Sequence, residues 1–253
     1  MIEIQNIEKH FGDNHVLKNV SFTFEKGKTN LIIGESGSGK TTLIKILIGL
    51  HKIDSGAVLF DGINFNSIKT KEQRKLRQEI GMLFQAGALY DSMTVEENIM
   101  FPLSMFTNKT EEEKLERVNF CLKRVNLEGK NNLLPAELSG GMTKRVAIAR
   151  AIVMQPKYLF CDEPNSGLDP KTAIVIDNLI QEITKEYNIT TIVNTHDMNS
   201  VMEIGENIAF INQGEIWWTG NKDELLNSEN TELNDFVFAS KLFKRLKKED
   251  EKC

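Results

Sequence analysis

The sequence contains few cysteines and no long hydrophobic run. Only residues 121, 161 and 253 are cysteines and no CxxC pair occurs, so neither a disulfide framework nor a zinc site is predicted. The best candidate for a membrane span, residues 43–50, contains Lys45 and is far shorter than the ~20 apolar residues that a bilayer requires. The net charge of −5 argues against a basic surface for nucleic acid, so no nucleic-acid partner is expected.

The first residues also lack the apolar core of a signal peptide. Residues 1–10 alternate apolar and charged side chains, whereas a signal peptide has a continuous apolar segment. With 40% hydrophobic and 26% charged residues, the composition is that of an ordinary globular protein. The sequence therefore predicts a cytoplasmic chain that reaches a membrane only through a partner.

What the sequence does contain is an alternation of strand and helix patterns. Period-two alternation or short apolar runs predict strands at residues 1–7, 20–24, 29–33, 80–85, 158–162 and 190–195. Helical spacing is found at residues 41–50, 70–78 and 173–187. Asp61-Gly62 and the segment NIAFINQGEIWW indicate hairpins. Strands that alternate with helices predict an α/β fold with a parallel sheet.

The middle of the chain has sequence patterns that are typical of helices. Thr94 and Thr110 each begin a T-x-x-E capping box, and Pro102 is expected to kink or end the first helix. A third helix is expected to follow Ser139 and to stop before Pro156. Residues 87–155 therefore look like a helical insertion into the sheet domain.

The sharpest local signal is GESGSGKT at residues 34–41, which matches G-x-x-x-x-G-K-[ST]. Gly37 and Gly39 allow backbone N–H groups to turn inward as an anion nest, and the next helix directs its N-terminus at the same phosphates. Lys40 supplies a charge for the β- and γ-phosphates, and the Thr41 hydroxyl can ligate Mg²⁺. A glycine-rich turn without a ligand is the alternative, which the strand–loop–helix context disfavours.

Polar side chains follow three of the predicted strands. Asp162 and Glu163 end one of them, and ligands of parallel sheets bind at the carboxyl ends of strands. Asp162 is suited to Mg²⁺ and Glu163 to accepting a proton from water. His196 is placed to donate to a γ-phosphate, and Gln85 to orient water or contact Mg²⁺. The alternative, a solvated acidic turn before Pro164, is disfavoured by the phosphate loop.

A second helix N-terminus is formed by LSGGM, residues 138–142. Ser139 has the character of an N-cap, and Gly140 and Gly141 leave backbone N–H groups bare for an anion. Spacing alone does not decide whether the two helix N-termini bind one nucleotide or two.

In this order along the chain, these motifs resemble those of ATP-binding-cassette (ABC) ATPases. The resemblance covers about residues 1–228. It implies a P-loop NTPase: a RecA-like parallel-sheet core with an N-terminal antiparallel β-subdomain, at about residues 1–86 and 156–228. A helical subdomain at about 87–155 is inserted, and residues 229–253 form a C-terminal extension.

The resemblance also implies a role for each motif residue. The catalytic residues would be Glu163, His196, Gln85 and Lys40, and Mg²⁺ would be held by Thr41, Gln85 and Asp162. Contacts to ATP are implied for Phe11, Val16, Gly34, Glu35, Ser36, Gly37, Ser38, Gly39, Lys40, Thr41, Thr42, Ser139, Gly140, Gly141 and Asp169.

The resemblance also implies two partners, because ABC ATPases of this kind act as dimers on a membrane permease. Two copies enclose two ATP molecules, and the LSGG of each copy completes the site of the other, which requires a two-fold dimer. Met142, where the family usually has Gln, and the segment QAGALYDSMTVEENIMFPL resemble the ATPases of Mla/Mce-type phospholipid transporters. That narrower resemblance implies a phospholipid cargo, a lipid-binding Mce-type partner and a place on the cytoplasmic face of the inner membrane.

Two other functions and two segments stay open at this point. An importer or exporter of another cargo, such as amino acids, is one alternative. A non-transport ABC ATPase is the other, which the single phosphate loop disfavours. The apolar residues between 89 and 101 form either helical core or a groove for a permease helix. The tail from Thr231, with its aromatic and basic residues, is a disordered end, a membrane-surface helix or a strap across the partner.

Overall fold

Two sheets organise the computed structural model, which describes residues 1–238. In chain order the strands are β1 (Ile2–Phe11), β2 (Asn14–Phe24), β3 (Thr29–Ile33), β4 (Ser55–Phe60), β5 (Ile63–Asn64), β6 (Ile80–Leu83), β7 (Tyr158–Asp162), β8 (Thr190–Asn194), β9 (Asn207–Asn212) and β10 (Glu215–Gly220). The first sheet is antiparallel with the order β2-β1-β4-β5. The second has the order β10-β9-β3-β8-β7-β6, and its strands are parallel except at the edge, where β10 pairs antiparallel with β9.

Helices surround the parallel sheet and fill the middle of the chain. They are α1 (Lys40–Leu47), α2 (Thr70–Gln78), α3 (Val95–Phe106), α4 (Glu111–Arg124), α5 (Gly140–Ile152), α6 (Pro170–Glu186), α7 (Met198–Ile204), α8 (Lys222–Leu226) and α9 (Thr231–Val237). One 3₁₀ turn lies at Pro135–Glu137. The predicted α/β fold, with its antiparallel β-subdomain and inserted helices, is confirmed. Among residues 1–238, no helix has both the length and the apolar character that crossing a membrane requires.

Apolar side chains cover both faces of the parallel sheet. Alternate residues of β3 point to opposite faces: Leu31 joins the hydrophobic cluster that includes α3 to α6, whereas Ile32 joins the cluster beneath α1 and the antiparallel sheet. Val118 and Cys121 of α4 lie in the same cluster as Leu159 of β7. The helical insertion therefore shares a core with the sheet domain instead of building one of its own.

Local signals set most helix and turn boundaries. The Thr94 and Thr110 hydroxyls accept hydrogen bonds from the backbone N–H of Glu97 and Glu113, so both capping boxes are present. The Asp61-Gly62 turn joins β4 to β5 with φ values of 48° and 82°, as a two-residue hairpin requires. Helix α3 does not end at Pro102 but continues to Phe106. Its apolar face, including Ile99 and Leu103, is buried, and this packing outweighs the hydrogen bond that proline removes.

The start of the predicted C-terminal extension packs against the main body. Leu233, Val237 and Phe238 belong to the same buried cluster as Phe210 of β9, and the ring of Phe236 lies 5.4 Å from that of Phe210. Residues up to 238 therefore belong to the packed body, and the division into a domain of residues 1–228 and a C-terminal extension stays a prediction. Residues 239–253, on which the three interpretations of the tail mainly rest, lie outside the described residues.

Candidate active site

The four strands β3, β6, β7 and β8 end at one edge of the parallel sheet. Their parallel register aligns Asp162 with Asn194 and Leu83 with Cys161, so the residues that follow them emerge side by side. These are the glycine-rich loop, Gln85, Glu163 and His196. The edge that the sequence predicted as the site is therefore assembled by strand register.

The glycine-rich loop is held in a shape that only glycine tolerates at two positions. A Cβ on Gly34 would collide with the carbonyl oxygen of Ile211, and Gly39, with φ of 108°, would press against Leu17 and the Val16 carbonyl. Gly39 is also the residue before the first turn of α1. The loop backbone consequently leads directly into the N-terminus of α1, and its glycines have no side chains that would block an anion there.

Lys40 lies across this loop with its side chain buried. Its ammonium donates hydrogen bonds to the carbonyl oxygens of Gly34, at 2.8 Å, and Glu35, at 2.7 Å. Burial lowers the pKa of Lys40, and the carboxylates of Glu163, Asp162 and Glu35 oppose that shift. A buried ammonium that is held by two carbonyl oxygens at a helix N-terminus suits a polyphosphate, which brings the negative charge that such a site needs.

Oxygen ligands for a divalent cation lie beside the loop. Asn194 Nδ2 donates to Asp162 Oδ1 at 2.5 Å and reaches Thr41 Oγ1 at 3.5 Å, so Asn194 brings the two predicted metal ligands close together. Mg²⁺ prefers such hard oxygens and takes its remaining ligands from water and phosphate. Thr41 and Asp162 thus fit Mg²⁺ bound together with phosphates.

Glu163 stands between two of the other predicted catalytic residues. Its Oε1 lies 2.9 Å from Nδ1 of His196, and its Oε2 accepts a hydrogen bond from Nε2 of Gln85 at 3.3 Å. Glu163 has a φ of 47°, a left-handed conformation that is costly for a residue with a side chain. The Gln85 amide also reaches Ser166 Oγ at 3.2 Å. This geometry places Gln85 beside Glu163, and its predicted contact with Mg²⁺ stays a prediction.

The loop and Glu163 face the same open cavity, of about 1060 Å³. Its lining includes Gly34, Glu35, Ser36, Glu163, Asn165, His196 and Phe236. Within this loop, Ser38 Oγ is buried without a hydrogen-bond partner among residues 1–238. Helix α9 contributes to the cavity wall, which the sequence did not predict, because nothing local to residues 231–238 indicates where that helix packs.

Residues 139–141 are not among those that line this cavity. Ser139 caps α5, as predicted, and its hydroxyl accepts a hydrogen bond from the Met142 N–H at 3.3 Å. Asp169 caps α6 in the same way, because its carboxylate accepts hydrogen bonds from the backbone of Lys171 and Thr172 and from the Thr172 hydroxyl. These hydrogen bonds lower the pKa of Asp169. The Asp169 carboxylate is therefore engaged within its own helix, and its predicted contact with ATP stays a prediction.

Phe11 presents an exposed ring at the turn between β1 and β2. The ring is 46% exposed, meets His51 edge-on at 5.3 Å and lies 5.1 Å from the Lys9 ammonium. An exposed aromatic face of this kind can stack on a purine base. Val16 lies on the other side of the turn, where its carbonyl approaches Gly39 of the phosphate loop.

The chain is similar to known transport proteins. A family model described as "ABC transporter" matches residues 17–166. The chain is 40% identical over 242 residues to the methionine import ATP-binding protein MetN of Clostridium tetani, and the match covers 96% of this chain and 76% of that protein. It is 38% identical over 256 residues to MetN of Campylobacter jejuni, covering 95% of this chain and 76% of that protein.

Solved structures give the same result. A dimeric post-hydrolysis state of the ATP-binding cassette MJ0796, bound to ADP and Pi, has a TM-score of 0.79 at 35% identity and covers 88% of this chain and 99% of that one. The structure of cbiO1 from Clostridium perfringens, described as part of the ABC transporter complex cbiONQ, has a TM-score of 0.84 at 32% identity, covering 99% and 98%. The predicted likeness to phospholipid transporters, and with it the Mce-type partner, is not supported by these relatives.

Proposed function

The chain belongs to the ABC transporter family, whose ATP-binding domains bind ATP with Mg²⁺ and hydrolyse it to drive transport, and we propose that it energises an importer as one of two identical ATPase subunits. The observation that carries the catalytic part of the proposal is the placement of Glu163, between His196 and Gln85, in the cavity that the phosphate loop also lines. Phosphoryl transfer depends on positioning and on charge neutralisation. Glu163, His196 and Gln85 contribute positioning, and the buried Lys40 ammonium contributes positive charge.

Each side chain at the sheet edge has a definite task in this proposal. The backbone of residues 34–41 and the Lys40 ammonium bind the β- and γ-phosphates. Thr41 and Asp162 would hold Mg²⁺, which neutralises charge on the phosphate oxygens when bound. The Glu163 carboxylate accepts the proton of the attacking water. His196 and Gln85 hold that carboxylate from both sides and exclude other orientations.

The position of the LSGG turn supports a dimer. Because residues 139–141 do not line the cavity of their own chain, a second copy is the natural source of the helix N-terminus that covers the γ-phosphate. A two-fold axis places each turn on the opposite site, so that ATP closes the pair and hydrolysis reopens it. The dimeric state of the similar cassette MJ0796 is consistent with this arrangement.

A groove between the sheet domain and the helical insertion fits a permease helix. Its volume is about 480 Å³, and its lining includes Phe84, Tyr90, Phe101 and Phe106. Phe106 is 54% exposed, whereas Ile99 on the same helix is fully buried. The apolar residues between 89 and 101 are thus divided between core and groove. Aromatic grooves of this kind take the apolar face of an amphipathic helix, and such docking would hold the chain at the cytoplasmic face of the membrane.

The relatives favour an amino-acid cargo. Both MetN proteins are named for methionine import, so we propose methionine or a chemically similar amino acid as the cargo of the complex. The test is affinity purification from native membranes, followed by uptake of labelled methionine in cells. A permease and a solute-binding protein in the eluate, with uptake that depends on this chain, would support the proposal. Co-elution of a lipid-binding protein and phospholipid, with unchanged methionine uptake, would contradict it.

Replacement of the proposed base tests the chemistry separately. Glu163→Gln keeps the size of the side chain but cannot accept a proton, so we expect phosphate release to fall by about 10²- to 10⁴-fold, the usual contribution of a general base. ATP binding should persist. Glu186→Gln makes the same chemical change at an exposed carboxylate that pairs with Arg124 and should leave turnover unaltered. Undiminished hydrolysis by Glu163→Gln would remove Glu163 from this role.

A further inference from the structure

One buried lysine ties helix α5 to the catalytic edge of the sheet. Lys144 is only 5% exposed, and its ammonium donates a hydrogen bond to the backbone carbonyl of Gln85 and a longer one, at 3.4 Å, to the carbonyl of Glu163. Burial lowers the pKa of Lys144, and the neighbouring Cys161, Glu163 and Asp162 oppose that shift. Both hydrogen-bond acceptors belong to residues that the proposed mechanism uses.

A second basic residue of α5 holds the same loop further along. The Arg150 guanidinium donates to the carbonyl oxygens of Gly87 and Ala88, each at 2.7 Å. Thr143 also packs against Gly87: a Cβ added to Gly87 would lie 3.2 Å from the methyl group of Thr143. The backbone of the loop that carries Gln85 is therefore fastened to α5, and a movement of the helix must move the loop.

The other end of α5 is the LSGG turn. Gly140 is the first residue of the helix, and Lys144 follows it by four residues, about 6 Å along a helix axis. Because only one turn of hydrogen-bonded helix separates the two points, a displacement of residues 139–141 also displaces Lys144. Residues 139–141, which do not line the cavity of their own chain, thus lie one helical turn from Lys144, which is bonded to the backbone carbonyls of Gln85 and Glu163.

We propose that Lys144 is a positioning residue that transmits the docking of residues 139–141 on the partner's nucleotide to Glu163 of its own chain, and thereby couples the two ATP sites of the dimer. The inference rests on the proposed function, because residues 139–141 need a second copy to contact. Two routes carry the displacement. One is the hydrogen bond to the Glu163 carbonyl, and the other passes through the Gln85 backbone to its amide, which contacts Glu163 Oε2.

The test compares Lys144→Met, Lys144→Gln and Lys144→Arg in the full chain. Phosphate release is measured against ATP concentration in the presence of Mg²⁺, and ATP binding to the monomer is measured by calorimetry. We expect Lys144→Met to lower kcat by about tenfold or more and to reduce the Hill coefficient from near 2 toward 1, as loss of coupling between two sites requires. ATP affinity of the monomer should stay within about twofold, because Lys144 does not contact the phosphate loop. Lys144→Arg, which keeps a charged donor, should restore cooperativity in part.

Two controls keep the outcomes distinct. Lys123→Met changes an exposed lysine on α4 and should behave as wild type. A loss of folded protein lowers the rate equally at all ATP concentrations and leaves the Hill coefficient unaltered, so the Hill coefficient separates misfolding from loss of coupling. If Lys144→Met folds poorly, Lys144→Gln is measured in its place. If Lys144→Met and Lys144→Gln both have the kcat and the Hill coefficient of the wild type, the inference is overturned. Failure of the proposed function would show differently, as an absence of ATP-induced dimers in Glu163→Gln itself.

Discussion

Asp177 is expected to make the stability of this protein fall as the pH rises. The residue lies in α6 and is 2% exposed. Burial and, to a smaller extent, the charges of Asp197 and Glu203 raise its pKa to about 6, although hydrogen bonds from Ser200 and Asn165 act in the opposite direction. Asn165 Nδ2 donates to Ser200 Oγ at 2.9 Å, so the three side chains form a buried polar group behind the turn that carries Glu163.

The sign of the effect follows from proton binding. A carboxyl with a pKa near 6 in the folded state and near 4 when unfolded binds its proton more tightly in the folded protein. Its contribution to stability is greatest below about pH 4, is lost progressively as the pH rises through about 6, and stays constant above that. The full difference is about 3 kcal/mol, and about half of it has been lost at pH 5.

Asp177→Asn removes this titration, keeps one side-chain oxygen as an acceptor and adds an N–H donor. We expect the variant to be more stable than wild type above pH 7 by up to about 3 kcal/mol, and to lose most of this advantage near pH 4. Urea unfolding followed by circular dichroism between pH 4 and 8 measures both curves.

An exposed aspartate provides the control for Asp177→Asn. Asp13→Asn changes an exposed aspartate in the turn after β1 and should shift stability by no more than about 0.5 kcal/mol at any pH. If Asp177→Asn gives a curve parallel to that of wild type across the whole range, Asp177 does not titrate differently in the folded and unfolded states, and the argument from burial is wrong.

Two further predictions concern the phosphate loop and the thiols. Lys40→Ala should weaken ATP binding about 10- to 150-fold, because a charged hydrogen-bond donor is worth about 1.5–3 kcal/mol; calorimetry that shows unaltered affinity would contradict the loop assignment. Burial raises the pKa of Cys121 to about 11 and that of Cys161 still higher. In a Cys253→Ser background, a thiol reagent at pH 8 should therefore label neither until guanidinium unfolds the chain; prompt labelling of the folded protein would disagree.

Much of the fold could be predicted because its signals are local. Helix α2 and strand β7 have the predicted bounds, and the hairpin at Asp61 has the predicted turn. Capping boxes, glycine turns and apolar runs act within a few residues of one another, so their consequences are visible in the chain itself. Pro102 shows the limit of such rules, because the packing of α3 against the core decided what the local preference left open.

The candidate active site, like the fold, has features that local sequence predicts and features that depend on tertiary contacts. The sequence by itself determined the chemical groups: a glycine-rich loop with Lys40, a carboxylate pair at a strand end, and the helix N-terminus at Ser139. Only the tertiary structure decided which other side chains these groups contact. Strand register placed Asn194 beside Asp162, and packing brought Lys144 of α5 to Gln85 and Glu163. Neither contact has a signature in the chain, because the partners are many residues apart and meet only after the sheet and the helices have closed around a common core.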